Sequence, residues 1–155
     1  MQNTLSKVVA AFPSHPFAPE LFSRADETWT AYFDHENFEA EVAGQSWDAL
    51  TPRFVEAHAR ALRYMPPAAF ARFLPAYIAA LLRGESENEL PELVLLQLTR
   101  RPGWESKFDG RMALLTPLQR ALVVQVLEAL AQGDRFPHFR DRIDAALLSC
   151  RATLG

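Results

Sequence analysis

Eleven prolines punctuate this chain of 155 residues, and their positions constrain its fold more than any other feature. Proline lacks a backbone N–H and holds φ near −65°, so it breaks helix interiors but suits the first position of a helix. Pro19, Pro52, Pro67, Pro91, Pro117 and Pro137 each stand at or near the head of an apolar segment. Thr51-Pro52 and Thr116-Pro117 add a side-chain cap immediately before the proline. Alanine and leucine are abundant and β-branched residues few, which favours helix over strand. The expected fold is a single all-α domain over residues 1–155, with five to seven helices around a kinked aromatic central helix.

The periodicity supplies the elements. Leu5, Val8, Val9 and Phe12 predict a short helix over about Thr4 to Phe12, broken by PSHPFAP. From Pro19 to about Asp34, Leu21, Phe22, Ala25, Trp29, Tyr32 and Phe33 share one arc, while Glu20, Glu27 and Asp34 fall on the other side. HENFEAEVAGQS fits a helical turn or a short extended piece that Gly44 ends. Thr51 starts a helix running to about Tyr64, with Phe54, Val55, His58, Leu62 and Met65 on its apolar side.

Residues 67–82 are expected at the centre. Phe70, Phe73, Leu74, Tyr77, Ile78, Leu81 and Leu82 fill one half of the helical wheel; alanines, Arg72 and Arg83 fill the other. The eighteen residues from Met65 to Leu82 reach only about 27 Å, with an arginine near mid-span, so a membrane span is disfavoured. Pro75 sits inside and removes one hydrogen bond, which predicts a bend over the aromatic side. A further helix follows from about Pro91 to Arg100. RPGWESKFDGRMALL lacks a helical period, and Asp109-Gly110 reads as a turn, so a loop or small hairpin is expected. LTPLQRALVVQVLEALAQG carries a complete capping box, Thr116 with Gln119, an apolar arc that includes Leu118, and Gly133 as its stop. The last helix, from about Pro137 to Thr153, puts Phe139, Ile143, Ala146, Leu147, Cys150 and Leu154 on one stripe.

Charge is unevenly spread. Between Glu20 and Asp48 stand eight acids and one base, a balance of −7; the remainder is +4, giving −3 overall. Such a polarity guides association with a charged partner. No basic cluster with interleaved aromatics appears, so nucleic-acid binding is disfavoured. Cys150 is the single cysteine, which excludes an intrachain disulfide and suits a core position. The opening MQNTLSKVVAAF has no signal-peptide pattern, and a cytoplasmic protein is expected.

No established catalytic or cofactor motif is present in the sequence. HENFE lacks the second histidine of a zincin, Glu39 standing in its place, so no metal is expected. His58 lies on an apolar face as a core histidine, and His15 and His138 sit beside prolines near the surface. Trp47 and Trp104 lie in connectors, where tryptophan either pins a loop or forms a hot spot.

The combination of SWDAL, HARALRYMPPAAFARFLPAYIAALL and LTPLQRALVVQVLEAL, from Trp47 to Leu130, resembles a family of bacterial proteins carrying a helical domain of unknown function. The resemblance implies a fold and no activity. The leading expectation is therefore a non-enzymatic interaction protein, of the immunity or antitoxin kind, holding a basic partner protein through Asp26, Glu27, Asp34, Glu36, Glu39 and Trp47. The alternative is an enzyme or small-molecule site between the aromatic helix and GWESKFDGR, using Tyr77, His58, Arg72 or Glu105. A third reading is self-association through the alanine face of residues 68–80.

Overall fold

The computed structural model describes residues 2–22, 27–83 and 89–155, with the side chain of Glu27 outside the description. Among these residues there is no strand. Ten α-helices follow in chain order: α1 (Gln2–Ala11), α2 (Glu27–Thr30), α3 (His35–Val42), α4 (Pro52–Ala57), α5 (Ala61–Tyr64), α6 (Pro67–Arg83), α7 (Leu90–Gln97), α8 (Glu105–Ala113), α9 (Pro117–Gln132) and α10 (Arg140–Arg151). Short 3-10 turns occupy Pro19–Phe22, Trp47–Ala49, Pro137–Phe139 and Ala152–Leu154. The count exceeds the expected five to seven because HENFEAEV forms α3, the segment after Thr51 is split into α4 and α5, and a stretch expected as a loop forms α8; the segment from Pro19 is also broken, into a 3-10 turn and α2.

The first break lies between Pro19 and Asp34. A 3-10 turn ends at Phe22, α2 ends at Thr30, and the chain turns through residues 31–34 before α3 begins. Phe33 consequently leaves the core arc where an unbroken helix would have placed it. The second break comes at His58, where α4 ends. Its carbonyl accepts from the Tyr77 hydroxyl at 2.8 Å and from the Ala61 N–H at 3.0 Å, so the regular ladder stops there.

Helix α6 is the centre of the molecule. It continues through Pro75, and every residue from Phe73 to Leu82 is buried. The alanine face is buried as well as the aromatic one, Ala69, Ala76, Ala79 and Ala80 included. A self-association surface on those alanines is therefore already covered within the chain. An aromatic cluster closes over the N-terminal half of this helix: Phe17 stacks on Phe73 at 3.9 Å, Phe22 on Trp29 at 4.8 Å, and Phe38 lies 5.2 Å from Phe73.

The segment expected as a loop is helix α8. Phe108, Arg111, Met112 and Leu115 are all buried, a helical spacing of three, four and seven. The period was concealed because one of its core positions is arginine. Asp109-Gly110 lies inside this helix, and Asp109 faces outward to pair with Arg100 at 3.0 Å. The capping box at α9 forms as expected: Gln119 N–H donates to Thr116 Oγ1 at 3.1 Å, and Thr116 N–H donates to Gln119 Oε1 at 3.0 Å. Leu118, expected in its apolar arc, is exposed, because the first turn projects beyond the core.

Arginine outnumbers lysine fourteen to two, and the structure supplies a reason. The last turn of a helix leaves carbonyls without intrahelical partners, and a guanidinium can serve several of them at once. Arg111, only 2% exposed, donates to the carbonyls of Leu62, Arg63 and Met65 at the end of α5. Arg120 serves Met112 and Leu115 at the end of α8, Arg135 serves Leu81 and Leu82 in α6, and Arg140 serves Ala131 in α9. Lysine presents a compact ammonium on a flexible stem and lacks the planar fork. No single helix among the described residues is long and apolar enough to cross a membrane.

Candidate functional site

The turn between α2 and α3 builds the most distinctive surface feature. Tyr32 points inward and is buried, whereas the next residue, Phe33, is 91% exposed. A cleft of about 200 Å³ opens beside it, between this turn, the α4–α5 connection and Glu89. Asp34, Glu56 and Glu89 bring carboxylates to its lining, and among the described residues Arg60 brings the one lining cation. Arg60 makes a two-pronged pair with Glu89 at 3.0 and 3.3 Å, which holds the guanidinium above its ordinary range. With that charge matched, Asp34 and Glu56 leave the described lining net negative.

The floor is held by a buried polar relay. The Tyr32 hydroxyl lies 2.6 Å from His58 Nδ1, and Asp34 Oδ2 lies 3.8 Å from the same nitrogen. Burial first, and the Asp34 charge second, push the Tyr32 phenol up to about 12. It therefore keeps its proton at neutral pH, and its hydroxyl shares a hydrogen bond with the imidazole. Asp34 also accepts from Asn37 Nδ2 at 2.9 Å, and His35 Nδ1 bonds the Tyr32 carbonyl at 2.8 Å, so the turn that ejects Phe33 is braced from both sides. Tyr32 stacks on Tyr64 at 5.8 Å, which helps fix its ring in place. The arrangement is a rigid acidic cleft with a projecting aromatic ring.

The expected partner-binding residues separate. Asp34 lines the cleft and Glu36 is exposed nearby on α3. Glu39 turns inward to accept from Trp29 Nε1 at 3.2 Å. Trp47 lies apart: it is only 4% exposed, and its Nε1 donates to the Phe12 carbonyl at 3.0 Å, so it pins the connector onto the end of α1. Asp26 and the Glu27 side chain lie outside the described residues. Phe33, Glu56, Arg60 and Glu89 were not singled out from the sequence. The last three lie outside the acidic segment and join it only through tertiary packing.

The residues of the alternative pocket have other tasks. Tyr77 and His58 meet, but the Tyr77 hydroxyl is committed to the His58 carbonyl. Arg72 reaches the His15 carbonyl at 2.9 Å, and Glu105 begins α8. Phe108 and Met112 are buried on the side of α8 that meets α6, in the place where the pocket was expected. Among the described residues no group of three or more His, Cys, Asp or Glu is placed to hold a metal ion.

The model of a family of unknown function, DUF6714, matches residues 6–147. No curated protein and no solved structure matches the chain.

Proposed function

The chain belongs to DUF6714, a family of unknown function, and from its surface chemistry we propose that it is a protein-interaction domain docking a basic segment of a partner protein at the Phe33 cleft. One observation carries this reading: a phenylalanine is held almost fully in solvent, by a braced turn, at the rim of an acidic cleft. Aromatic side chains dominate binding hot spots when a partner covers them, and carboxylates at the rim steer a basic partner into register. The occupant is a segment that packs an apolar side chain on Phe33 and directs lysine or arginine toward Asp34 and Glu56. Its biological form is a cytoplasmic bacterial blocking protein, of the immunity or antitoxin kind, which covers a basic site on its partner without performing chemistry.

The test is affinity capture with the tagged protein and its Phe33→Ser variant, each at low and high salt. The expected result is one stoichiometric partner on the wild type, released by salt and absent from the variant. Equal recovery by both proteins, or no partner at either salt, would refute the assignment of this surface.

A further inference from the structure

A second site of opposite charge lies around Trp104. Arg101 and Arg63 place their guanidinium carbons 4.8 and 5.0 Å from the centre of the indole, and Lys107 Nζ lies at 5.0 Å. Two of these cations differ from most arginines of the fold, and Arg53 and Arg83, which share their lack of a carboxylate or carbonyl contact among the described residues, lie over no aromatic ring. Arg60, Arg100, Arg140, Arg142 and Arg151 meet carboxylates, while Arg72, Arg111, Arg120 and Arg135 meet carbonyls. Among the described residues, the side chains of Arg63 and Arg101 meet neither; their ring contacts are with Trp104 and, for Arg63, also with Tyr64 at 5.8 Å.

Arg101 is half-buried, and its Nε is shielded from solvent with no hydrogen-bond partner. Burial, then the charges of Arg63 and Arg142, hold its guanidinium below the ordinary range. Glu92 matches Arg142 at 2.7 Å, but Glu105, next to Trp104 in the chain, forms no ion pair with Arg63 or Arg101 among the described residues. Bringing like charges together around a ring costs electrostatic energy that the ring quadrupole returns only in part. An anion seated between them reverses that repulsion. The N-terminus of α8 opens at Trp104 without a side-chain cap, adding the favourable end of a helix dipole.

We infer that Arg63, Arg101 and Trp104, with Lys107, form a binding site for a phosphate group, either inorganic or borne on an organic ester. Two planar forks and an ammonium at one ring suit a tetrahedral dianion, whose oxygens accept from several directions, better than a single carboxylate. Trp104 acts as the platform that keeps both guanidinium groups in place. This site does not depend on the Phe33 cleft.

The experiment is a titration of the full chain with inorganic phosphate at constant ionic strength, read by tryptophan emission. Trp29 and Trp47 are buried in the core, so a Trp104→Phe variant identifies the responding ring. The expected result is a saturable change that chloride and acetate do not produce. Arg63→Gln should weaken it by about tenfold or more, as expected for losing one charge-assisted contact. Arg63 is exposed, so its replacement leaves the fold intact, and circular dichroism checks that point. A phosphomonoester binding more tightly than phosphate would place the group on an organic ligand, and equal affinity would point to the free ion. Either result supports the site. An unsaturable response, an equal response to acetate, or unchanged affinity in Arg63→Gln would overturn it.

Discussion

The buried guanidinium of Arg111 offers the most demanding test of how this fold is held together. It donates to three carbonyls at the end of α5, at 2.8 to 3.2 Å, and to Gln97 Oε1 at 2.9 Å, while its Cζ lies 4.3 Å from the Phe70 ring centre. Replacing it with methionine keeps much of the aliphatic volume but strips donors from four acceptors. Replacing a buried ion with an apolar residue is often tolerated when its partners are replaced too; removing one side of the network typically costs about 3–5 kcal/mol. The carbonyls of Leu62, Arg63 and Met65 cannot be mutated away, so the larger figure governs here. A domain of this size has roughly 5–15 kcal/mol of stability in total, so Arg111→Met should remove a large share of it. At about 2–4 °C per kcal/mol, the melting temperature should fall by roughly 6–20 °C. Urea unfolding followed by circular dichroism measures the change, with the midpoint lowered and the slope unchanged. Arg111→Lys should recover only part of the loss, because an ammonium cannot reproduce the fork. A loss below about 1 kcal/mol in Arg111→Met would refute the view that this arginine joins α5, α7 and α8.

Other expectations follow from the same structure. Gln119 completes the α9 capping box with its oxygen and donates its amide nitrogen to the Ala11 carbonyl at 3.0 Å, so Gln119→Glu should keep the box yet lose about 1 kcal/mol in urea unfolding. Gly110 lies inside α8 with nothing within 4 Å of an added Cβ, and Gly110→Ala should raise stability by about 0.5–1 kcal/mol; a lower midpoint would contradict the helical assignment. Tyr32 is held up to about 12 against 10.0 for a free phenol, so between these values the unfolded chain releases a proton that the folded one keeps. Its contribution is complete below pH 10 and is lost as pH rises toward 12; Tyr32→Phe should flatten that part of the stability profile, though Tyr77 adds a slope of the same sign. Burial raises the Cys150 thiol to about 12, so alkylation of the native protein at mildly alkaline pH should be slow and become fast on unfolding.

Several features were legible from the amino-acid order because they are local. A threonine followed by proline starts α4 and α9, since the cap and the restricted φ act within one turn. The central position of residues 67–82 follows from their apolar content, and the burial of Cys150 and Ile143 from a regular stripe. Trp29 and His58 were readable as residues directed inward, though their partners were not; Trp47, expected at a partner surface, is buried only because the connector folds back on Phe12.

What the order of residues could not convey depends on which groups meet across the chain. Helix α8 was hidden because Arg111 occupies a core position, and its guanidinium becomes acceptable there only when carbonyls from another helix surround it. Phe33 matched an apolar arc, and only the turn after Thr30, braced by Asp34, His35 and Asn37, sends it outward. Glu56 and Glu89 join Asp34 in one cleft although they lie far apart in the chain. Proline placement and helical period are decided over a few residues, and the sequence carries them directly. Exposure, charge convergence and the pairing of a buried arginine are decided by packing over long separations, so only the tertiary structure determines them.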